Sequence, residues 1–136
     1  MESGAPIVVL DLYDWLPSYG ESRIRINSRG SLWTIEIVYE DQAGPGLWLR
    51  PLRFEGVSCF HYASINGPAM LNVQSQGRDT LGSLVEYPAS QAAAAWNKRS
   101  VGEPIKHYSV LFLSESLTLH IFAKRVSLGE PSPTSS

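Results

Sequence analysis

The side chains best suited to proton, metal or covalent chemistry in this sequence are Cys59, His61, His107, His120, Glu36 and Glu40. Cys59 and His61 are two apart on a segment expected to be extended, so both project to one side. A thiolate–imidazolium pair is then within reach. No Gly-x-Ser-x-Gly elbow and no oxyanion-hole signature accompanies them. Val57 and Phe60 flank the thiol, which suits a cysteine buried as a small hydrophobe. His107 and His120 fall on the two arms of a terminal hairpin. Pairing Leu113 with Ser116 or Leu117 would set them roughly facing one another, both outward, where Glu36 could complete a transition-metal site. The preferred reading is two solvated polar side chains on a strand, so neither metal nor cofactor is expected. Glu36 and Glu40 share a strand face but lie ~13 Å apart along it, too far for paired-carboxylate hydrolysis. Gly44-Pro45-Gly46 lacks the following helix that a phosphate cradle needs. No catalytic residue is assigned, and the chain reads as a binder more than as an enzyme.

The segment assigned to partner binding is acidic and aromatic: Asp11, Tyr13, Asp14, Trp15, Tyr19 and Glu21, with Glu36 and Glu40 added from the next strands. Tyrosine and tryptophan dominate interface hot spots because they bury much area with few rotatable bonds. Interleaved acids suit a basic partner surface and speed encounter. The competing reading has Tyr13 and Trp15 capping the core while the acids solvate the turn.

These residues must be positioned by strands. Residues 7–12 form a short β-branched run. Residues 23–26 alternate strictly and stop at a turn cluster, Asn27-Ser28-Arg29-Gly30. Trp33, Ile35, Ile37 and Tyr39 then fall on one face, with Thr34, Glu36 and Glu40 on the other together with Val38, the period of a half-buried antiparallel strand. Residues 47–52 read as a strand that Pro51 confines to an edge or a bulge. Extended chain continues to Tyr62 across Gly56. Residues 63–80 are rich in Asn, Gly, Gln and Ser and read as a long loop, with a short strand at 70–73. Another short strand follows at 81–87.

One helix is expected over residues 88–99. Pro88 suits the first helical position, and Ala89, Ala92, Ala93 and Trp96 lie along one stripe on which Trp96 supplies most of the buried area. At the end, Tyr108, Val110 and Phe112 face inward, Ser114-Glu115-Ser116 turns, and Leu117, Leu119, Ile121 and Ala123 return as the inward face of an antiparallel neighbour. The fold class is therefore α+β: a twisted, mainly antiparallel sheet, or a partly open barrel, with one helix packed on it. Residues 1–128 form a single domain and residues 129–136 a flexible C-terminal tail.

With 136 residues and 43% hydrophobic side chains the chain can bury a core without staples. The net charge of −2 argues against nucleic-acid binding, which needs a concentrated basic face. Eight acids against five arginines in residues 1–68 place any acidic surface in the first half. The single cysteine excludes an intrachain disulfide and a cysteine-rich zinc site. No signal peptide and no bilayer-spanning run is visible, which favours a cytoplasmic protein with no membrane partner.

At His107-Tyr108-Ser109-Val110-Leu111-Phe112, at residues 117–126 and at Leu52-Arg53-Phe54-Glu55-Gly56-Val57 the chain resembles small bacterial immunity proteins of polymorphic toxin systems. The resemblance covers about half the chain and contains no diagnostic motif. It implies a single cytoplasmic domain that binds and blocks a cognate toxin or effector, without enzymatic activity. A small hydrolase or ligand-binding barrel using the Cys59/His61 region is the alternative function. A homodimer pairing through an edge strand is the alternative partner.

Overall fold

A computed structural model describes residues 6–17, 20–40, 46–64, 83–99, 102–112 and 117–134. Tyr19, the 41–45 turn, most of the expected 63–80 loop and the 114–116 turn lie outside them. The described residues form ten strands and one α-helix. Strands β1 (Ile7–Asp11), β6 (Ser83–Glu86), β7 (Lys106–Phe112), β8 (Leu117–Ala123) and β5 (Cys59–Ser64) build one antiparallel sheet in the order β1-β6-β7-β8-β5. Strands β2 (Arg23–Arg29), β3 (Leu32–Glu40) and β4 (Leu47–Glu55) build the second, with β9 (Arg125–Leu128) and β10 (Ser132–Pro133) both paired to β4. The α+β class is as expected, and the sheets do not close into a barrel.

The period-two patterns explain why the sheets stack. Ile35, Ile37, Tyr39, Leu52 and Phe54 from the second sheet meet Leu84, Tyr108, Val110, Phe112, Leu119, Ile121 and Ala123 from the first in one buried cluster. Phe54 and Tyr108 touch across the gap with ring centroids 5.8 Å apart. Burying a side chain of this size stabilises by about 1.5–3 kcal/mol, so this cluster is the main favourable term.

The two sheets share one corner. The β4–β9 ladder ends at Glu55↔Arg125, and the β5–β8 ladder begins at Cys59↔Phe122. Between them Lys124 N–H donates to Glu55 O at 2.9 Å and Ser58 N–H to Phe122 O at 2.8 Å. A two-stranded ribbon thus bends from one sheet into the other. Gly56 makes the bend with φ +65°, and a Cβ there would meet Lys124 side-chain carbons at 2.8 Å.

Four expectations are corrected. β2 runs through Asn27, Ser28 and Arg29, because Gly30, with φ +60°, allows a tight turn and leaves those residues paired to β3. Pro51 is not on an edge strand: β4 has β3 on one side and β9 and β10 on the other. Its carbonyl accepts from Gly129 N–H at 2.8 Å, so its ring nitrogen faces the junction between β9 and β10, where no donor is needed. Helix α1 spans Gln91–Asn97, shorter than 88–99, because Ser90 caps it. Trp96 stays exposed at 36%, and the helix buries Ala93 instead.

Residues 129–134, read from sequence as a tail, lie along β4. Arg50 Nε donates to Gly129 O at 2.8 Å, and Thr134 N–H donates to Leu47 O at 3.0 Å.

Candidate functional site

The outward face of the first sheet gathers all three histidines. Register sets Val8, Val85, Ser109, His120 and His61 side by side across β1, β6, β7, β8 and β5. In the next row His107 opposes Phe122, which opposes Cys59. His61 and His120 are therefore direct cross-strand neighbours, whereas His107 and His120 are diagonal, which aromatic side chains can still bridge. Phe112 pairs with Leu117, one of the two registers expected, and in it the two hairpin histidines are diagonal rather than directly facing.

The sequence expectation of two solvated histidines fails for His107, which is only 4% exposed. Its ring stacks on Phe122 at 4.4 Å and meets Tyr87 at 4.8 Å between centroids. Its Nδ1 lies 2.9 Å from Ser90 Oγ and its Nε2 lies 2.9 Å from His120 Nδ1. Ser90 Oγ in turn accepts from Ala93 N–H at 3.2 Å, which fixes the hydroxyl as the helix cap. The result is a hydrogen-bonded chain from the helix start through two imidazoles toward exposed His61.

Local sequence explains each position. Ser90 stands immediately before Gln-Ala-Ala-Ala-Ala, so its side chain replaces the missing turn of helix and the alanines propagate it. Asn97 closes the other end of α1: its side-chain oxygen accepts from Ile105 N–H at 2.6 Å and its amide donates to Ile105 O at 3.0 Å. Ile105 precedes β7 directly, so this clamp sets where His107 emerges. Tyr87 N–H donates to His107 O at 2.8 Å and holds the same place from β6.

Burial is the first cause that holds His107 down to about 4, with the neighbouring His120 adding to it. His120 is also lowered, by burial and then by His61. Both imidazoles are neutral at pH 7, so they can relay or accept a proton or ligate an ion. Ser90, 3% exposed and committed to its cap, is no surface nucleophile. Cys59 packs on the small cluster of Ala93, Ile105 and Phe122 beneath α1, the setting of a small hydrophobe. Among the described residues no group of three or more His, Cys, Asp or Glu side chains is arranged to hold a metal ion together.

The acidic and aromatic segment divides. β1 ends in a single 3-10 turn, Leu12–Asp14, capped by Asp11 Oδ1 accepting from Tyr13 N–H at 3.0 Å. Asp11 and Asp14 are exposed. Tyr13 and Trp15 pack part-buried on the core. Trp15 meets Tyr39 edge-on at 4.8 Å and lies under the Arg50 guanidinium at 5.0 Å. Glu21 is 4% exposed, and with burial as the larger cause it helps push the Tyr13 phenol up. Glu36 lies elsewhere, on the outward face of the second sheet, where Asn27 Nδ2 donates to it at 2.9 Å and Arg25 Nε lies 3.4 Å away. Glu40 is exposed at the end of β3. The structure brings Tyr13 and Glu21 together and sets Glu36 apart from them. Tyr19 is outside the described residues.

Two features escaped the sequence reading. Ser90 as the anchor of the histidine chain had one signal, a serine just before an alanine run. The other is the edge position of β1. This strand pairs with β6 and with no other described strand, and Ile7, Val8 and Val9 are 52%, 50% and 37% exposed. The ladder slips between Val8 and Leu10, so Val9 is bulged out of register.

No protein-family model, no curated protein and no solved structure matches this chain. Among the described residues no helix is long and apolar enough to cross a membrane.

Proposed function

We propose that this chain is a non-enzymatic protein-binding domain, an immunity-type inhibitor that blocks a toxin or effector in a bacterial cytoplasm. The observation that carries the reading is the outer edge of β1, which no other described strand covers. Large exposed hydrophobes among the described residues are Ile7, Val8, Val9 and Trp96, and three of these four sit together on that strand. An unpaired strand edge offers N–H and C=O groups to an incoming strand, and its side chains supply specificity. Asp11 ends the strand and Asp14 lies just beyond it, both exposed, so a partner strand flanked by lysine or arginine fits this edge best. The bulge at Val9 sets a local twist that a partner must match, which discourages indiscriminate edge pairing. The single free thiol suits a reducing compartment.

The test is co-expression with the product of the adjacent gene, followed by size-exclusion chromatography. A stable complex that Val8→Lys disrupts, with the variant still folded, supports the reading. Failure of the neighbour to co-elute overturns it. A doubled mass of the chain alone, lost in Val8→Lys, would instead assign the edge to self-pairing.

A further inference from the structure

We propose that His61 and His120 bind one divalent transition-metal ion of the kind that prefers imidazole (zinc, nickel or copper), with His107 and Ser90 as the residues that orient the ligand ring. His61 and His120 stand directly opposite each other in the β5–β8 ladder and project from one face. Their ring centroids are 6.1 Å apart at 67°. An ion bound at about 2.0–2.1 Å by one nitrogen of each ring sits about 3 Å from each centroid, so ligating rings stand roughly 5–6 Å apart. Small rotations of the exposed His61 side chain cover the difference. The strands fix the two Cβ positions, so little backbone ordering is required.

The hydrogen-bonded chain selects the ligand atom. His120 Nδ1 is engaged with His107 Nε2, which leaves His120 Nε2 for the ion. For Nε2 to offer its lone pair, the proton must sit on Nδ1 and be donated to His107 Nε2. His107 then carries its own proton on Nδ1, where Ser90 Oγ lies 2.9 Å away to accept it. Each required donor faces an observed acceptor. A ligating histidine whose other N–H is held by a fixed partner is the usual support of a metal site, because it sets the tautomer and the ring plane.

Two histidines supply two of the four positions such an ion usually takes, fewer than a closed structural site provides. Cys59, on the same face, is packed against Ala93, Ile105 and Phe122 and is not a third ligand.

The tag-free chain, freed of metal with a chelator and dialysed at pH 7.5, is titrated with Zn²⁺ by calorimetry, and its Cu²⁺ form is examined by electron paramagnetic resonance. The expected result is one saturable equivalent and splitting from imidazole nitrogens. His61→Ala, a change at an exposed residue that leaves the fold intact, should weaken Zn²⁺ binding at least tenfold. His107→Phe keeps the aromatic packing but removes the acceptor for His120, and should weaken it by about ten- to a hundredfold. No saturable binding by the wild-type chain, or unchanged affinity in His61→Ala, overturns the site. Unchanged affinity in a folded His107→Phe overturns the orienting chain.

Discussion

His107 Nε2 and His120 Nδ1 lie 2.9 Å apart, a contact between diagonal positions of β7 and β8 that joins the helix cap to the cross-strand neighbour of exposed His61. One of the two nitrogens must carry a proton and the other must not, so both rings cannot be charged without breaking the contact.

Acid should destabilise the chelator-treated protein well above the usual carboxylate range. His107 is held down to about 4 when folded, against an ordinary value of 6.5. Its unfolded form therefore takes up protons first. Its share of stability is complete above about pH 6.5 and is lost as pH falls from there toward 4, up to about 3 kcal/mol. Urea midpoints measured from pH 7.5 to 4.5 check this. His107→Gln should flatten the slope over that interval, and a slope equal to wild type would refute the assignment.

Ser90→Ala removes a helix cap and a partner of a buried imidazole in one step. The cap is worth about 1 kcal/mol. Leaving His107 Nδ1 unpaired adds about 1–3 kcal/mol. Denaturant titration should show a combined loss of about 2–4 kcal/mol, whereas Gln91→Ala, at the exposed neighbouring position, should change stability by less than about 0.5 kcal/mol.

Phe54→Ala and Trp96→Ala should separate sharply in thermal unfolding. Phe54 is fully buried between the sheets, and its loss should cost about 3–5 kcal/mol. Trp96 is 36% exposed on α1, and its loss should cost under about 1 kcal/mol. Equal losses would mean that α1 is anchored through Trp96 after all.

Two glycines with similar backbone angles should tolerate alanine differently. A Cβ at Gly30 meets nothing within 4 Å, so Gly30→Ala incurs only the left-handed backbone cost of about 1–2 kcal/mol. At Gly56 the same backbone cost is joined by collision with Lys124 carbons at 2.8 Å. Gly56→Ala should therefore be worse by about 1 kcal/mol or more. Lys124→Ala introduced beside it should recover the excess, as a double-mutant cycle would measure.

The strands were legible where one face is core and the other is wet. Ile35, Ile37 and Tyr39, and Leu119, Ile121 and Ala123, read correctly because alternation is a local property of a pleated strand. Pro51 misled because a missing N–H is usually tolerated only at an edge. Here the gap it requires is made by two other strands, β9 and β10, which abut β4 without covering that point. Residues 129–131 carry little apolar pattern, so nothing local announces that Gly129 is bonded to both Arg50 and Pro51. The 88–99 stripe overestimated α1 because Pro88 and Ser90 are both good starts, and in the structure Ser90 caps the helix and bonds His107.

The sequence by itself determined the antiparallel sheet class, the inward faces of β3, β7 and β8 and the place of one short helix. All of these depend on neighbours a few residues apart. The meeting of His61, His107 and His120, the burial of one and the exposure of another, and the place of β1 at the end of the described strands of its sheet were decided only in three dimensions. A histidine outside a core pattern looks the same in a sequence whether water, a helix or another imidazole covers it. Its environment is set by strand order and register, which residues dozens of positions away impose.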